Sequence, residues 1–137
     1  MEPEEIVERA WRSMFPPGNQ PEFDDYDEIF HPDFEWRPRT GDAVSGRTYR
    51  GREGLLKYAS DLRESFSSFE PHSTVYEVAG DSVLACSMLS FRGAESGIEM
   101  TNEGGVIWTL QDGRAASAHA FLSHAEARAE WRAFATT

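Results

Sequence analysis

The chain has 137 residues with 24 acidic against 13 basic side chains, a formal net charge of -11. That length fits one domain, 1–137, and the acidic excess opposes phosphate backbones and anionic headgroups, which argues against nucleic-acid and membrane partners. Nine Phe, four Trp and four Tyr argue against disorder, and the single cysteine, Cys86, allows neither an intrachain disulfide nor a cysteine-based metal site.

From about Pro3 to Phe15 the apolar residues Ile6, Val7, Ala10, Trp11 and Met14 recur at three- and four-residue steps, the spacing of one helical face. Glu2, Glu4 and Glu5 suit the positive end of that helix, and Pro16-Pro17-Gly18-Asn19 ends it. A second, short helix is predicted from about Pro21 to Phe30, with Phe23, Tyr26, Ile29 and Phe30 inward and an acidic outer face. His31-Pro32-Asp33 breaks it, and Phe34 to Arg37 alternates as a strand. Residues 38–50 read as a polar loop, and a third helix starts near Gly51 with Leu55, Ala59, Leu62 and Phe66 as its stripe.

Beyond Pro71 the apolar period changes from 3.6 to 2, predicting strands at 72–79, 82–92, 98–111 and 114–122. Asp112-Gly113 between two apolar runs is a hairpin signal, and Ser123-x-x-Glu126 has the spacing of a capping box opening a last short helix. Three helices followed by an antiparallel meander make an α+β domain, with the helices over one face of a curved sheet and a pocket between. Cys86 reads as a small buried strand residue. The acidic N-terminus is unlike a signal peptide, and no apolar run approaches the roughly 18 residues of a membrane span, so a cytoplasmic location is expected.

Three stretches carry a family resemblance: His31-Pro32-Asp33-Phe34-Glu35-Trp36, then Tyr49-Arg50-Gly51-Arg52-Glu53-Gly54-Leu55, then Val106 through Arg114. In that order and at those distances they resemble SnoaL-like domains of the nuclear-transport-factor-2-like superfamily, relatives of ketosteroid isomerase and polyketide cyclases. Phe121 to Ala127 resembles the family's strand-to-helix ending. The resemblance implies a cone-shaped curved antiparallel sheet covered by three N-terminal helices, a short C-terminal helix, and a homodimer paired through exposed sheet faces. It does not choose a function, because the shared motifs are turns and helix starts and the family holds isomerases, cyclases, hydrolases and plain binding domains.

The resemblance puts Trp36 where isomerases carry a base, with Trp11 and Val106 where they carry oxyanion donors. Indole is no base and Val donates nothing; a one-residue slip would bring Glu35 to the base position but would flip the strand's faces. On the last strand Ala120 stands where the hydrolase and cyclase patterns want an acid. That strand divides into Ala116, Ala118, Ala120 and Leu122 on one face, against Ser117, His119 and Phe121 on the other. The alanine face is expected to point into the cone, leaving either a roomy cavity or space filled by Trp11, Trp36 and Trp108.

The expected pocket lining is Trp11, Met14, Tyr26, Trp36 and Tyr58 from the first half of the chain, with Met88, Asn102, Val106, Trp108, Ala118 and Ala120 from the strands. The catalytic candidates are His119, Glu103 as its neighbour across the strands, and Glu35; a Glu–His pair is an acid–base unit, although both residues suit an outer face equally well. His31 reads as part of a turn, His72 as solvated at a strand start, and His124 as exposed in a first helical turn. These scattered histidines suggest no metal site, and no cofactor is expected. Arg37, Arg39, Arg47, Arg50 and Arg52 could clamp a carboxylate ligand, or pair with the chain's own acids such as Asp42 or Glu53. Three readings stand: a pocket domain for a small, largely apolar molecule; an isomerase, cyclase or hydrolase using a nonstandard group; and a dimerisation module without ligand.

Overall fold

The computed structural model describes residues 1–15, 23–38 and 47–135. The first helix, α1 (Pro3–Met14), has proline in its first turn, where a missing N–H costs no hydrogen bond, and it buries Ile6, Val7, Ala10 and Met14. The second helix is shorter than the sequence pattern suggests. α2 is a single turn, Tyr26–Ile29, and Phe30 already begins β1 (Phe30–Arg37), so His31-Pro32-Asp33 lies within a strand rather than breaking a helix. The register of β1 shifts between Phe30 and Glu35, where that triplet sits. β2 (Tyr49–Arg50) leads into α3 (Gly51–Ser65), which passes directly into the 14-residue β3 (Phe66–Ala79).

Three long strands complete the sheet: β4 (Ser82–Gly93), β5 (Glu99–Gln111) and β6 (Arg114–Phe121). The β5–β6 turn places Asp112 and Gly113 at φ 55° and 76°, the left-handed values that a tight hairpin requires and that Asp-Gly supplies. The strand order is β2-β1-β6-β5-β4-β3. All neighbours run antiparallel except β1 and β6, which are parallel.

Alternation sorts the strands into two faces. Val83, Ala85 and Leu89 of β4, Val106 and Trp108 of β5, and Ala118 and Ala120 of β6 join the buried residues of α1, α2 and α3 in the main core. Leu84, Cys86 and Phe121 point to the opposite face, where Ala127 and Trp131 of α4 (His124–Ala135) cover them. The C-terminal helix, 12 residues long, thus covers the outer face. Ser123 Oγ accepts the Glu126 N–H at 3.1 Å, so the capping residue read from sequence does start this helix. Burial pushes the Cys86 thiol above its ordinary value, as suits a packed core residue. No described helix is long and apolar enough to cross a membrane.

Candidate functional site

The cone interior is built on one row of side chains. In the strand register Trp36 of β1 lies beside Ala118 of β6, which lies beside Trp108 of β5. The alanine methyl leaves room above it, and the two indoles occupy that room, stacked at 28° with centroids 6.5 Å apart. Trp11 descends from α1 and meets both edge-on, at 6.2 Å and 76° from Trp36 and 5.7 Å and 77° from Trp108. Trp36, Trp108 and Ala118 are at most 1% exposed. Of the two outcomes that the alanine stripe allows, the structure shows the filled one.

Two small spaces lie among the described residues. A void of about 20 Å³ is lined by Trp11, Trp36, Val106, Ala120 and the Gly104–Gly105 backbone, among other apolar residues. A second, of about 30 Å³, lies between Met14, Tyr58 and Leu62. Phe15 and Phe69 border both. Trp11 and Phe15 also line an outer groove of about 410 Å³ between α1 and β3, so the groove and the first void share these two rings. The Nε1 atoms of Trp11, Trp36 and Trp108 are buried and meet no acceptor among the described residues.

Most of the lining expected from sequence is buried in this core: Met14, Tyr26, Trp36, Tyr58, Val106, Trp108, Ala118 and Ala120, with the half-buried Trp11 packed against it. Two residues fall elsewhere. Met88 has the parity of Leu84 and Cys86 and so belongs to the outer face, while Asn102 is exposed where β5 runs past the core. Two buried tyrosines, Tyr26 and Tyr49, have hydroxyls that are hydrogen-bonded within the protein. Tyr26 donates to the His31 carbonyl, and burial, with Asp27 and Asp33 nearby, pushes its pKa up to about 12.

Of the three acid–base candidates, Glu35 and His119 border one outer groove and Glu103 lies apart from it. His119 lies opposite Ile107, not Glu103, and packs against Phe121 with ring centroids 4.6 Å apart. Glu103 pairs with Met88, and its carboxylate accepts the His124 backbone N–H at 2.8 Å. Glu35 accepts from Arg37 and Arg50 at 3.2 and 3.1 Å. Glu35, Arg37, Ser117 and His119 share an outer groove of about 310 Å³ walled by Glu130, on the face away from the indoles. His124 is half-buried rather than exposed, its Nε2 donating to the Ser87 carbonyl at 2.7 Å. His72 sits inside β3 and bonds Ser90 at 2.7 Å, and His31 accepts the Asp33 N–H. Among the described residues no three His, Cys, Asp or Glu side chains could together hold a metal ion.

The family model for the SnoaL-like domain matches residues 7–118. The chain belongs to this family. SnoaL-like and nuclear-transport-factor-2-like folds recur among the solved structures similar to it. One is a putative SnoaL-like polyketide cyclase from Jannaschia sp. CCS1, at TM-score 0.68 and 21% identity over 87% of this chain and 83% of that one. TerC, co-crystallised with polyporic acid, superposes at TM-score 0.72 with 16% identity over 98% of each chain. A hypothetical protein with a ketosteroid isomerase-like fold from Catenulispora acidiphila, in complex with trimethylamine, gives TM-score 0.70 and 14% identity over 91% and 90%. None of the curated proteins matches the chain. At these identities the neighbours establish the fold.

One buried charge of this SnoaL-like domain has no counterpart in the sequence reading. Asp61 of α3 is 6% exposed and accepts from Lys57 Nζ at 2.6 Å, the Tyr49 hydroxyl at 2.7 Å and Arg47 at 3.3 Å. The Lys57 hydrogen bond, then that of Tyr49, holds its carboxyl below the usual aspartate value, while burial and the same contact raise Tyr49. Tyr49 packs on Tyr58 at 5.3 Å and Tyr58 on Trp36 at 5.6 Å, so the network braces one wall of the indole cluster. Three arginines of the Arg-rich stretch pair with the chain's own acids: Arg37 and Arg50 with Glu35, Arg47 with Asp61. Arg39 and Asp42 lie outside the described residues. Phe15, Phe69 and the Gly104–Gly105 pair were also missed as lining, although two glycines inside a strand signal a close approach.

Proposed function

We propose that this SnoaL-like domain binds a small, largely apolar molecule in its cone and does not act on it through the acid and base groups of catalytic relatives. The observation that carries this is the lining of the inner void, whose residues among those described are aliphatic, aromatic or glycine. Such a wall favours apolar burial and offers no side chain that exchanges a proton near neutral pH. The void of about 20 Å³ holds little more than one water, so a ligand enters only as rings move. Trp11, half-buried and bordering the outer groove, is the ring placed to do so. That two neighbours were crystallised with small molecules, polyporic acid in one and trimethylamine in the other, supports the reading by analogy.

The test is a titration of indole fluorescence with naphthalene, α-methylstyrene and acetophenone. Saturable binding of at least one compound at one site per chain is expected. An unchanged emission across the whole series, with no heat in calorimetry, would leave the dimerisation reading in its place. A homodimer accompanies the proposal, formed through the outer sheet face, where Val75 is 60% exposed. A monomer in sedimentation at high concentration would refute it.

A further inference from the structure

Buried hydrogen-bond donors are nearly always paired, and one left unpaired loses its hydration without return. Inside this cone three such donors, the indole N–H groups of Trp11, Trp36 and Trp108, lack an acceptor among the described residues. Their rings are in mutual contact, so the unpaired donors belong to one cluster of side chains. Packing alone does not call for this, because phenylalanine fills an apolar core without leaving a donor behind. Edge-on contact lets the Trp11 N–H face a neighbouring ring, but that interaction is weak, and Trp36 and Trp108, stacked at 28°, cannot offer it to each other.

The geometry points to a specificity role for two of these donors: the cone's occupant carries an uncharged hydrogen-bond acceptor at its buried end, such as a carbonyl or ether oxygen, received by the indole N–H groups of Trp11 and Trp36. Both residues line the inner void. The rest of that lining decides the chemistry. It contains no cationic side chain among the described residues, so an anion would be buried without a partner. Indole nitrogen donates and does not accept, so the proton of a hydroxyl or amine would meet no side-chain acceptor there. A neutral acceptor is the polar group that the side chains of this lining satisfy. The inference rests on the ligand-binding reading above and adds what the ligand must present. Trp11 and Phe15 line both the void and the outer groove, so a shift of the Trp11 ring is the entry route that the inference uses.

Acetophenone and α-methylstyrene test this, because they share a shape and differ in C=O against C=CH₂. The ketone is expected to bind the wild-type chain at least about tenfold more tightly, the size of one buried hydrogen bond. In proton–nitrogen correlation spectra the indole signals of Trp11 and Trp36 should move with the ketone alone, while that of Trp131, on the opposite face, stays in place. Trp36→Phe, checked as folded by its own spectrum, should retain α-methylstyrene and lose the preference for the ketone; Trp11→Phe is the second variant should the first not fold. Equal affinities with unmoved indole signals would overturn this inference and leave the binding reading intact. Binding of neither compound would overturn both. Persistent water contacts at both indoles that acetophenone does not displace would show solvent satisfying the donors, and would also overturn the inference.

Discussion

Asp61 gives the sharpest test of how the wall around the indoles is held. Its hydrogen bond from the buried Tyr49 hydroxyl, at 2.7 Å, joins a neutral donor to a carboxylate, which is worth about 1.5–3 kcal/mol. Lys57 and Arg47 are 63% and 58% exposed, so their ion pairs add roughly 0–1 kcal/mol each. Asp61→Ala should therefore destabilise the domain by about 2–4 kcal/mol in urea unfolding followed by tryptophan fluorescence. Asp61→Asn, which keeps one acceptor for Tyr49, should cost about half of that.

The pH dependence has a fixed sign. The folded carboxyl lies below its ordinary value, so the folded state favours the ionised form. Its contribution is complete above the unfolded aspartate value of about 3.9, shrinks below it, and is gone once the pH has fallen through the folded value. The stability gap between the wild type and Asp61→Asn should thus be constant from pH 8 to pH 5 and close on further acidification. Tyr49→Phe combined with Asp61→Asn should show a coupling of at least about 1 kcal/mol, as expected for residues in direct contact. Additive single effects, or a gap that does not narrow in acid, would refute the assignment of the network to this carboxylate.

Two further predictions concern packing and tyrosine ionisation. A Cβ at Gly105 would lie 2.5 Å from the Ala127 Cβ, a methyl with no rotamer to escape into, so Gly105→Ala should cost about 1–3 kcal/mol and be partly rescued by Ala127→Gly. Gly104→Ala meets the Leu89 side chain, Cδ1 at 2.7 Å and Cγ at 2.9 Å, which unlike a methyl can rotate, and should cost less; the opposite order in urea unfolding would refute this account of how α4 packs. Tyr26, held up to about 12 by burial first and by Asp27 and Asp33 second, should ionise after an exposed tyrosine in an ultraviolet titration. Because its folded value is raised, its contribution is intact below about pH 10 and is lost as the pH climbs to about 12. A Tyr26→Phe variant should be less sensitive in that window, and equal alkaline sensitivity would count against the assignment.

Local chemistry made much of the fold legible. The α1 stripe, the Asp112-Gly113 hairpin and the Ser123 cap each depend on residues close in sequence, and each is present in the structure. The first half of β3 is not legible because Phe66 continues the α3 stripe and the strand period reads only beyond Pro71. β3 is an edge strand, where a residue without an N–H is tolerated. The supposed Glu103–His119 pair needed a register. Counting back from the Gln111–Arg114 pair would put Val106 opposite His119, and the irregularity between Thr109 and Leu110 moves this to Ile107; Glu103 is too far along β5 in either case. Asp61 was invisible for another reason: its partner Tyr49 comes from a different element, and the helical stripe had been drawn through Leu55, Ala59 and Leu62. Whether the alanine face meant space or filling turned on Trp36 and Trp108 flanking Ala118, which depends on a parallel β1–β6 pairing between segments about 80 residues apart.

That arrangement explains how the domain can keep unpaired donors in its core. Burying an indole removes roughly 150–250 Å² from water, which at about 25 cal/mol per Å² contributes about 4–6 kcal/mol. An unpaired donor takes back about 1–3 kcal/mol. Each tryptophan is therefore net stabilising as a filler even when its N–H has nothing to bond, and the empty cone remains a folded cone. The stacking holds the Trp36 donor in place before any ligand arrives. Trp36 and Trp108 are fixed by the strands on which they stack, and Trp11 alone rides on a helix beside the outer groove. An incoming acceptor would recover a cost already borne by the folded chain, and the movement it requires falls on the indole least deeply buried.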